Sequence, residues 1–531
     1  MGSFGDKVDA IVVGAGAGGG VVAKQLAAAG MKTVLFELGE WPNYDADSPN
    51  DELCNMRHQV IGSPHSYNGK PAQIANCVGS GTVTYGAMAW RFMPQDFKLK
   101  SIYGKFYEDS SLEDWPITYD ELEPYYEQAE YEIGVSGDQS ENPFAPPRKK
   151  PFPMPPFEHP SDDILIKDAA KRLGYHPYPT PMLRNSVPYN GRCGCIRNRT
   201  CCGYVCPVDA KNGTHNTVIP VALKTGNCKL LTGHFVYEIM MEGKRAVGVR
   251  YFDKDKVARQ MRADVVVLSA AAYQTARLLY NSKCSQFPAG IGNQNDQLGR
   301  HSQTHFYTGS YGMFDRDVLA YEGPGTTLAM SDFNHMPREG IIGGVVCTEF
   351  YIMPWACSRR RPPNSPRWGA EHKRFQREDY KKVKELLACV QQVPRAESRV
   401  VLSNDKDEYG VPKVHGTGSN HPKTWDNAKF VSDRMAEILK EAGAKFTWQP
   451  ILDSNRSGGG GGGQHQSGTC RMGNDPKKSV VDSDCKVWGT ENLYVADGSV
   501  HVNNGGFNPV LTIMALAFRT GRHIAQKYSK A

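Results

Sequence analysis

The stretch Val8–Gly39, VDAIVVGAGAGGGVVAKQLAAAGMKTVLFELG, decides the fold class. Val8–Val13 is an unbroken apolar run, the pattern of a strand buried on both faces. Gly14, Gly16 and Gly19 follow as G-x-G-x-x-G. Val21–Ala29 has helical composition and stops at Gly30, and Lys32–Phe36 is a second apolar strand with Glu37 at its end. In this order each glycine has its own task. Gly14 allows a tight turn, Gly16 lets backbone approach a pyrophosphate, and Gly19 lets helix pack on strand. Free N–H groups and the partial positive charge at the helix start suit phosphates. Glu37, eighteen residues after the third glycine, can accept from both hydroxyls of an unphosphorylated adenosine ribose. The bland alternative is a glycine-rich turn with no ligand, and the register of strand, turn, helix and acid favours a dinucleotide site. These residues do not choose between FAD and NAD.

A chain of 531 residues with 40% apolar and 22% charged residues is long enough for several domains and reads as an ordinary soluble globular protein. The net charge of +6 is small, and the basic runs Arg148–Lys150 and Ser358–Pro362 are short and Pro-flanked, so nothing points to nucleic acid. No stretch approaches the ~18–20 apolar residues of a spanning helix. The N-terminal residues lack a basic region followed by an apolar one, and Asp6 breaks the myristoylation pattern. By its own signals the chain is expected to stay in the cytoplasm; export as a partner's passenger would leave no trace.

Strand–helix units do not continue after Gly39. Residues 40–75 are loop-like and 137–160 are Pro-rich. A strand meander resumes near Leu230, and Asp264–Leu268 is a further buried strand. It ends in the small residues Ser269–Ala272, a backbone-close turn suited to a cofactor. Residues 300–450 mix alternating segments with an amphipathic helix, and the C-terminus returns to strand then helix. The expected architecture is mixed α/β: a Rossmann-like nucleotide domain assembled from residues 6–45, 74–110, 228–300 and 456–531. A substrate domain with a mostly antiparallel sheet is inserted as residues 111–227 and 301–455.

Five of the fourteen cysteines fall in CGCIRNRTCCGYVCP, the loop 193–207, and the other nine are scattered from Cys54 to Cys485. Three readings compete. A disulfide knot needs an oxidising compartment. Structural zinc prefers paired C-x2-C units, and the spacings C-x-C, C-x5-C, C-C and C-x3-C fit it poorly. Iron–sulfur clusters tolerate irregular spacing.

Seven ordered segments together resemble one family, the glucose–methanol–choline (GMC) flavoprotein oxidoreductases, over nearly the full length. They are VGAGAGGG at 13–20, VGSGTVTYGAMAWRFMPQDF at 78–97, DWPITYDELEPYYEQAE at 114–130, VVLSAAAYQTARLL at 266–279, LGRHSQTH at 298–305, HQSGTCRMG at 465–473 and NLYVADGSVHVNNGGFNPVLTIMALA at 492–517. The likeness is nearest to bacterial catalytic subunits of FAD-dependent sugar and sugar-acid dehydrogenases. It implies FAD rather than NAD, with contacts at Gly14, Gly16, Ala17, Gly19 and Glu37, around Gly79, Ser80 and Gly86, and near Val236 for the adenine. Ala270, Asp497, Asn508 and Val510 would complete the cofactor site. Some relatives attach FAD through a histidine where this chain has Val83, Thr84 and Tyr85, so non-covalent FAD is expected.

The resemblance also implies a three-iron [3Fe-4S] cluster on the cysteine loop, where the family pattern is near C-x5-C-x3-C. Cys202 and Cys206 keep the second step but put Cys195 at x6; Cys195 and Cys201 keep the first at the cost of x4 to Cys206. The choice between Cys201 and Cys202 stays open. Such relatives pair with a small chaperone-like subunit carrying the export signal and with a cytochrome c acceptor, which makes a periplasmic location the expectation and a cytoplasmic one the alternative.

Oxidising an alcohol removes an O–H proton and a C–H hydride; a flavin takes the hydride at N5 and the protein accommodates the proton. His465, at the family's catalytic histidine position, has a side chain suited to accept that proton near neutrality; otherwise it would hydrogen-bond a loop. Asn508, at the second catalytic position, cannot be a base and would donate to the substrate oxygen. Asn508–Pro509 is also a good N-cap and N1 pair for the last helix, whose positive end would face the reduced flavin. His501 reads as structural. Tyr351, Trp355, Glu397 and Arg399 are among many pocket candidates that no spacing selects. Three functions follow: a sugar dehydrogenase with a protein acceptor, an oxidase of the same fold making hydrogen peroxide, and a flavin-binding or lyase-like protein without net redox chemistry. The presence of both His465 and Asn508 disfavours the third.

Overall fold

Apolar continuity decides which strands lie centrally. Ala10–Val12 and Val265–Leu268 are fully buried, and the strands that hold them, Lys7–Val13 and Ala258–Leu268, pair in parallel at the middle of a seven-stranded sheet. The computed structural model describes residues 7–44, 75–198, 201–318, 323–348, 361–449 and 464–529. The glycine run Gly458–Gly463, Tyr351, Trp355, Cys54 and Cys357 lie outside them.

Lys7–Val13 pairs on its other side with Thr33–Phe36, which pairs in parallel with Cys228–Leu231. The segment expected to open the meander therefore lies at the edge of the parallel part. The meander itself is Phe235–Glu242, Arg245–Phe252 and Ala258–Leu268. Ala258–Leu268 changes partner along its length: Ala258–Arg262 run antiparallel to Arg245–Phe252, and Val266–Leu268 run parallel to Leu493–Val495. This handover brings the chain ahead of the last helix, Val510–Tyr528, beside the glycine turn. That helix packs on the first helix, Ala17–Ala28.

The second sheet has six antiparallel strands, in the order Phe446–Trp448, His305–Met313, Val383–Gln391, Val346–Thr348, Leu328–Met330, Pro177–Pro179. Side chains alternate along a strand, and His305–Met313 uses both faces. Phe306 packs 4.8 Å, centroid to centroid, from Trp425 of the helix Pro422–Glu441, and Ser310 Oγ donates to Ser432 O at 2.6 Å. His305 and Tyr307 point the other way, to His465. The mixed α/β architecture with one largely parallel and one antiparallel sheet is the one expected. No described helix is long and apolar enough to cross a membrane.

Candidate active site

The glycine turn is filled partly by protein and partly left open. A Cβ on Gly14, which has φ +100°, would stand 2.3 Å from Ser269 O, and one on Gly19 would stand 1.9 Å from Gly14 O. Gly18, which the motif leaves unassigned, has the least room: its Cβ would stand 1.7 Å from Ala496 O of the C-terminal segment. Gly16 faces a wider space, with Ser80 Cβ the nearest atom at 3.3 Å. The first helix starts at Gly16 with no side-chain cap, so its leading N–H groups remain for a ligand. Gly16, Ala17, Ser80, Gly86, Ala270 and Val510 are all partly accessible. Ser80 (φ 46°), Ala271 (φ 69°) and His465 (φ 59°) adopt left-handed backbone without being glycine, conformations that cluster at functional turns.

Glu37 is buried at the end of its strand. Its Oε2 accepts from Ala15 N at 2.8 Å and its Oε1 from Gly39 N at 2.9 Å. Burial pushes its carboxyl up to about 7, against the pull of these amides. His234 N donates to Glu37 O at 3.0 Å, which sets the strand carrying Val236 beside it. Gly79 N donates to Ala15 O at 3.1 Å, joining the second glycine segment to the first. Asp497 is buried; its Oδ1 accepts from Ser499 N at 2.9 Å and its Oδ2 from Thr275 Oγ1 at 2.5 Å, and burial raises its carboxyl.

His465 and His305 meet in a hydrogen-bonded corner. His465 Nε2 lies 3.2 Å from Asn508 Nδ2. His465 Nδ1 lies 2.9 Å from His305 Nδ1 and 3.0 Å from the Tyr307 hydroxyl. His305 Nε2 lies 2.8 Å from Gly505 O, and Asn504 Nδ2 donates to His465 O at 2.7 Å. Burial, and secondarily the neighbouring His305, hold His465 well below its ordinary value, and burial brings His305 down to about 4. Both rings are therefore neutral near pH 7.

The cap reading of Asn508 is corrected. The last helix starts at Val510, Pro509 is its cap residue, and no side chain caps it. The Asn508 amide has gone to His465 instead, a tertiary partner overriding a good local one. His501 is fully buried, 3.3 Å through Nδ1 from Asn504 Oδ1, and packs against Phe92 and Trp115. Arg399 pairs with Asp296 and Glu397 with Arg395.

The cysteine loop is tied to the second glycine segment. Gly203 N donates to Thr84 O at 2.5 Å, and a Cβ on Gly86 would stand 3.6 Å from Cys202 Sγ. Among the described residues no cysteine forms a disulfide. Cys195, Cys201, Cys202 and Cys206 lie within electrostatic reach of Arg184, whose guanidinium is raised despite its burial. Lys211 is also enclosed. Its Nζ donates to Cys201 O and Tyr204 O at 2.7 Å each, and burial lowers its ammonium while Cys201, Cys202 and Cys206 raise it. Among the described residues no three His, Cys, Asp or Glu side chains converge closely enough to hold a metal ion. The thiols are gathered without being closed into a ligand set.

Gly18, His305, Tyr307, Arg184 and Lys211 were not singled out by sequence. His305 ends the segment LGRHSQTH, and the alternation HFYTG puts Tyr307 on its face two residues on, a signal that could have found both.

Two GMC oxidoreductase family models match the chain, one over residues 8–307 and one over residues 394–517. The 6'''-hydroxyparomomycin C oxidase of Streptomyces lividus is 31% identical, the match covering 98% of this chain and 92% of that protein. The fructose dehydrogenase large subunit of Gluconobacter japonicus is 28% identical over 97% of each chain. Among solved structures, an FAD-dependent oxidoreductase from Chaetomium thermophilum superposes with a TM-score of 0.67 at 14% identity, over 99% of this chain and all of that one, a likeness of fold. Family matches at both ends of the chain, and a relative alike over almost its whole length, make it a member of the GMC oxidoreductases.

Proposed function

We propose that this enzyme oxidises a hydroxyl of a sugar, glycoside or sugar acid to a carbonyl with non-covalent FAD. The uncapped helix start, the close-set glycines and Glu37 fit such a cofactor. FAD, when bound, supplies the hydride acceptor. The observation that carries the reading is the His465–Asn508 pair, Nε2 to Nδ2 at 3.2 Å, at the meeting of the two sheets. A hydroxyl entering between them donates its proton to His465 Nε2 and accepts from Asn508 Nδ2. A sugar-class substrate is supported by the two relatives named above, one an oxidase of a hydroxyparomomycin and the other a fructose dehydrogenase. The division into a nucleotide domain and an inserted substrate domain belongs to the same reading.

Rapid mixing with candidate sugars tests it. His465→Ala should keep its flavin spectrum and lose about 10²–10⁴-fold in the rate of flavin reduction. A near-normal rate would remove His465 from the base role.

The electron outlet is a second element of the proposal. Cys195, Cys206 and either Cys201 or Cys202 would hold a [3Fe-4S] cluster, supported by the gathering of these thiols around Arg184 and Lys211. Such a cluster, when bound, passes single electrons outward. A cytochrome c acceptor, a small export-signal subunit and a periplasmic location would follow; the alternative is a partner-free oxidase producing hydrogen peroxide. Iron and acid-labile sulfide in anaerobically purified protein should approach about three irons per chain, and less than about one would favour the oxidase.

A further inference from the structure

We propose that His305 is a positioning residue: by accepting a hydrogen bond from Nδ1–H of His465 it fixes that imidazole in the tautomer whose Nε2 lone pair faces Asn508 and the substrate hydroxyl. The assignment deepens the reading of His465 as the base, and the tautomer at its core stands on the hydrogen-bond geometry and burial of the two rings.

Gly505 O can only accept, so His305 Nε2, 2.8 Å away, carries a hydrogen. His305 is fully buried and burial pushes its imidazole down to about 4, so it is neutral at working pH and its other nitrogen is a bare acceptor. That nitrogen, Nδ1, lies 2.9 Å from His465 Nδ1. Two bare ring nitrogens would repel at this distance, so His465 Nδ1 carries the hydrogen between them. His465 is itself neutral, which leaves Nε2 as its lone pair. Asn508 Nδ2, a donor, lies 3.2 Å from that atom and agrees with the assignment.

Tyr307 fits the same scheme. Its oxygen is 3.0 Å from His465 Nδ1, and its hydroxyl is engaged with the Cys389 thiol, which the sheet register sets opposite it. The hydroxyl hydrogen is thus directed away from the ring and its oxygen can share the Nδ1 hydrogen. The sheet explains why the lock is rigid. His305 and Tyr307 are neighbours on one face of a strand paired along its whole length with Val383–Gln391. His465, by contrast, leaves a loop in left-handed backbone conformation, and its tautomer would otherwise be free. In turnover the proton moves from the substrate oxygen to Nε2, the Nδ1 hydrogen stays where it is, and His305 Nδ1 accepts from the resulting imidazolium. A fixed tautomer matters because the opposite one presents N–H to a group that must give up a proton; in a catalytic triad the wrong histidine tautomer costs about 10⁴-fold.

The test is a long-range ¹⁵N–¹H spectrum of the FAD-loaded protein labelled at histidine, with His465→Ala identifying the signals. The expected result is a protonated Nδ1 and a bare Nε2 at His465; a protonated Nε2 overturns the proposal. Two substitutions extend it. His305→Gln keeps one acceptor and one donor on a planar group and should reduce flavin within about tenfold of the native rate, with the tautomer retained. His305→Leu removes both and should slow flavin reduction by at least about 100-fold while flavin stays bound. Native rates in His305→Leu overturn the proposal. Where His305→Leu does not load flavin, the native spectrum and His305→Gln decide. A normal rate in His465→Ala beside a protonated Nδ1 would sink the base assignment and support the lock, so the two failures are distinguishable.

Discussion

Arg91 and Arg184 are buried alike, 2% and 1% exposed, and live in opposite electrostatic surroundings. Arg91 is held by carboxylates. Its Nη2 and Nε reach Glu130 at 2.7 and 2.8 Å, its Nη1 reaches Glu123 at 3.1 Å, and Arg148 adds a second cation to Glu130 at 3.2 Å. Arg184 donates to the carbonyls of Pro324 at 2.7 Å and Gly86 at 3.0 Å, and among the described residues no carboxylate pairs with it. Its neighbours in the cysteine loop include Cys195, Cys201, Cys202 and Cys206. Removing an ion from water costs several kcal/mol, which the fold must offset close by. Around Arg91 the offset is complete within the protein, and the arginine fastens the helix Tyr119–Ala129 to the segment after the second glycine motif. Around Arg184 and Lys211 it comes from backbone carbonyls, those of Pro324 and Gly86 for the arginine and of Cys201 and Tyr204 for the lysine, with the cysteine loop beside both. The same side chain at the same depth is a staple in one place and, under the proposed cluster reading, part of a site in the other, and the chemistry of its partners makes the distinction.

The strongest way to break the contrast is Arg91→Met, which leaves Glu130 and Glu123 buried with most of their positive charge gone. Stability should fall by about 3–5 kcal/mol, read as a lower urea midpoint. An unchanged midpoint would mean that Arg91 staples nothing. Arg184→Met strands two carbonyls and should cost less, about 1–3 kcal/mol. If the proposed cluster is bound, Arg184→Met should also release its iron to a chelator faster than native protein does, whereas folded Arg91→Met should retain it. Equal iron retention in the two variants would erase the difference between staple and site.

What the sequence made legible follows a physical line. The glycine turn and Glu37 are close neighbours along the chain, and buried parallel strands read as apolar runs, so the cofactor cleft can be inferred from one stretch. Gly18 was invisible because the atom that forbids its Cβ, Ala496 O, comes from the other end of the chain. Asn508–Pro509 read as a cap because local preference is all a short window contains; the His465 ring that claims the amide arrives from a different segment. His305 and Tyr307 are recorded as an alternation, which shows that two side chains share a face and not what that face meets. The cysteine loop was conspicuous by composition, and its two cations were not, since a buried Arg or Lys looks in sequence like any other.

Glu37 extends the comparison to a buried acid whose partners among the described residues are backbone amides, those of Ala15 and Gly39 foremost. Those amides favour the ionised form but do not offset its burial, and the carboxyl is pushed up to about 7. Near neutrality the cofactor-free protein is thus a mixture of protonated and ionised Glu37. Two ribose hydroxyls donating to the carboxylate stabilise only the ionised form, so FAD binding should release a proton. The sign follows from linkage: a ligand that prefers the deprotonated state binds more tightly as pH rises through the free-state value. Between pH 6 and 8 the Kd for FAD should fall by up to about tenfold, since a carboxyl near 7 goes from about one-tenth to about nine-tenths ionised over that range. Titrating apoprotein by flavin fluorescence at the two pH values, beside Glu37→Gln, measures it. The variant should bind more weakly and show a flatter pH dependence. An equally flat native profile would mean that the loop amides already hold Glu37 fully ionised, and that the turn, like Arg91, completes its electrostatics before any ligand arrives.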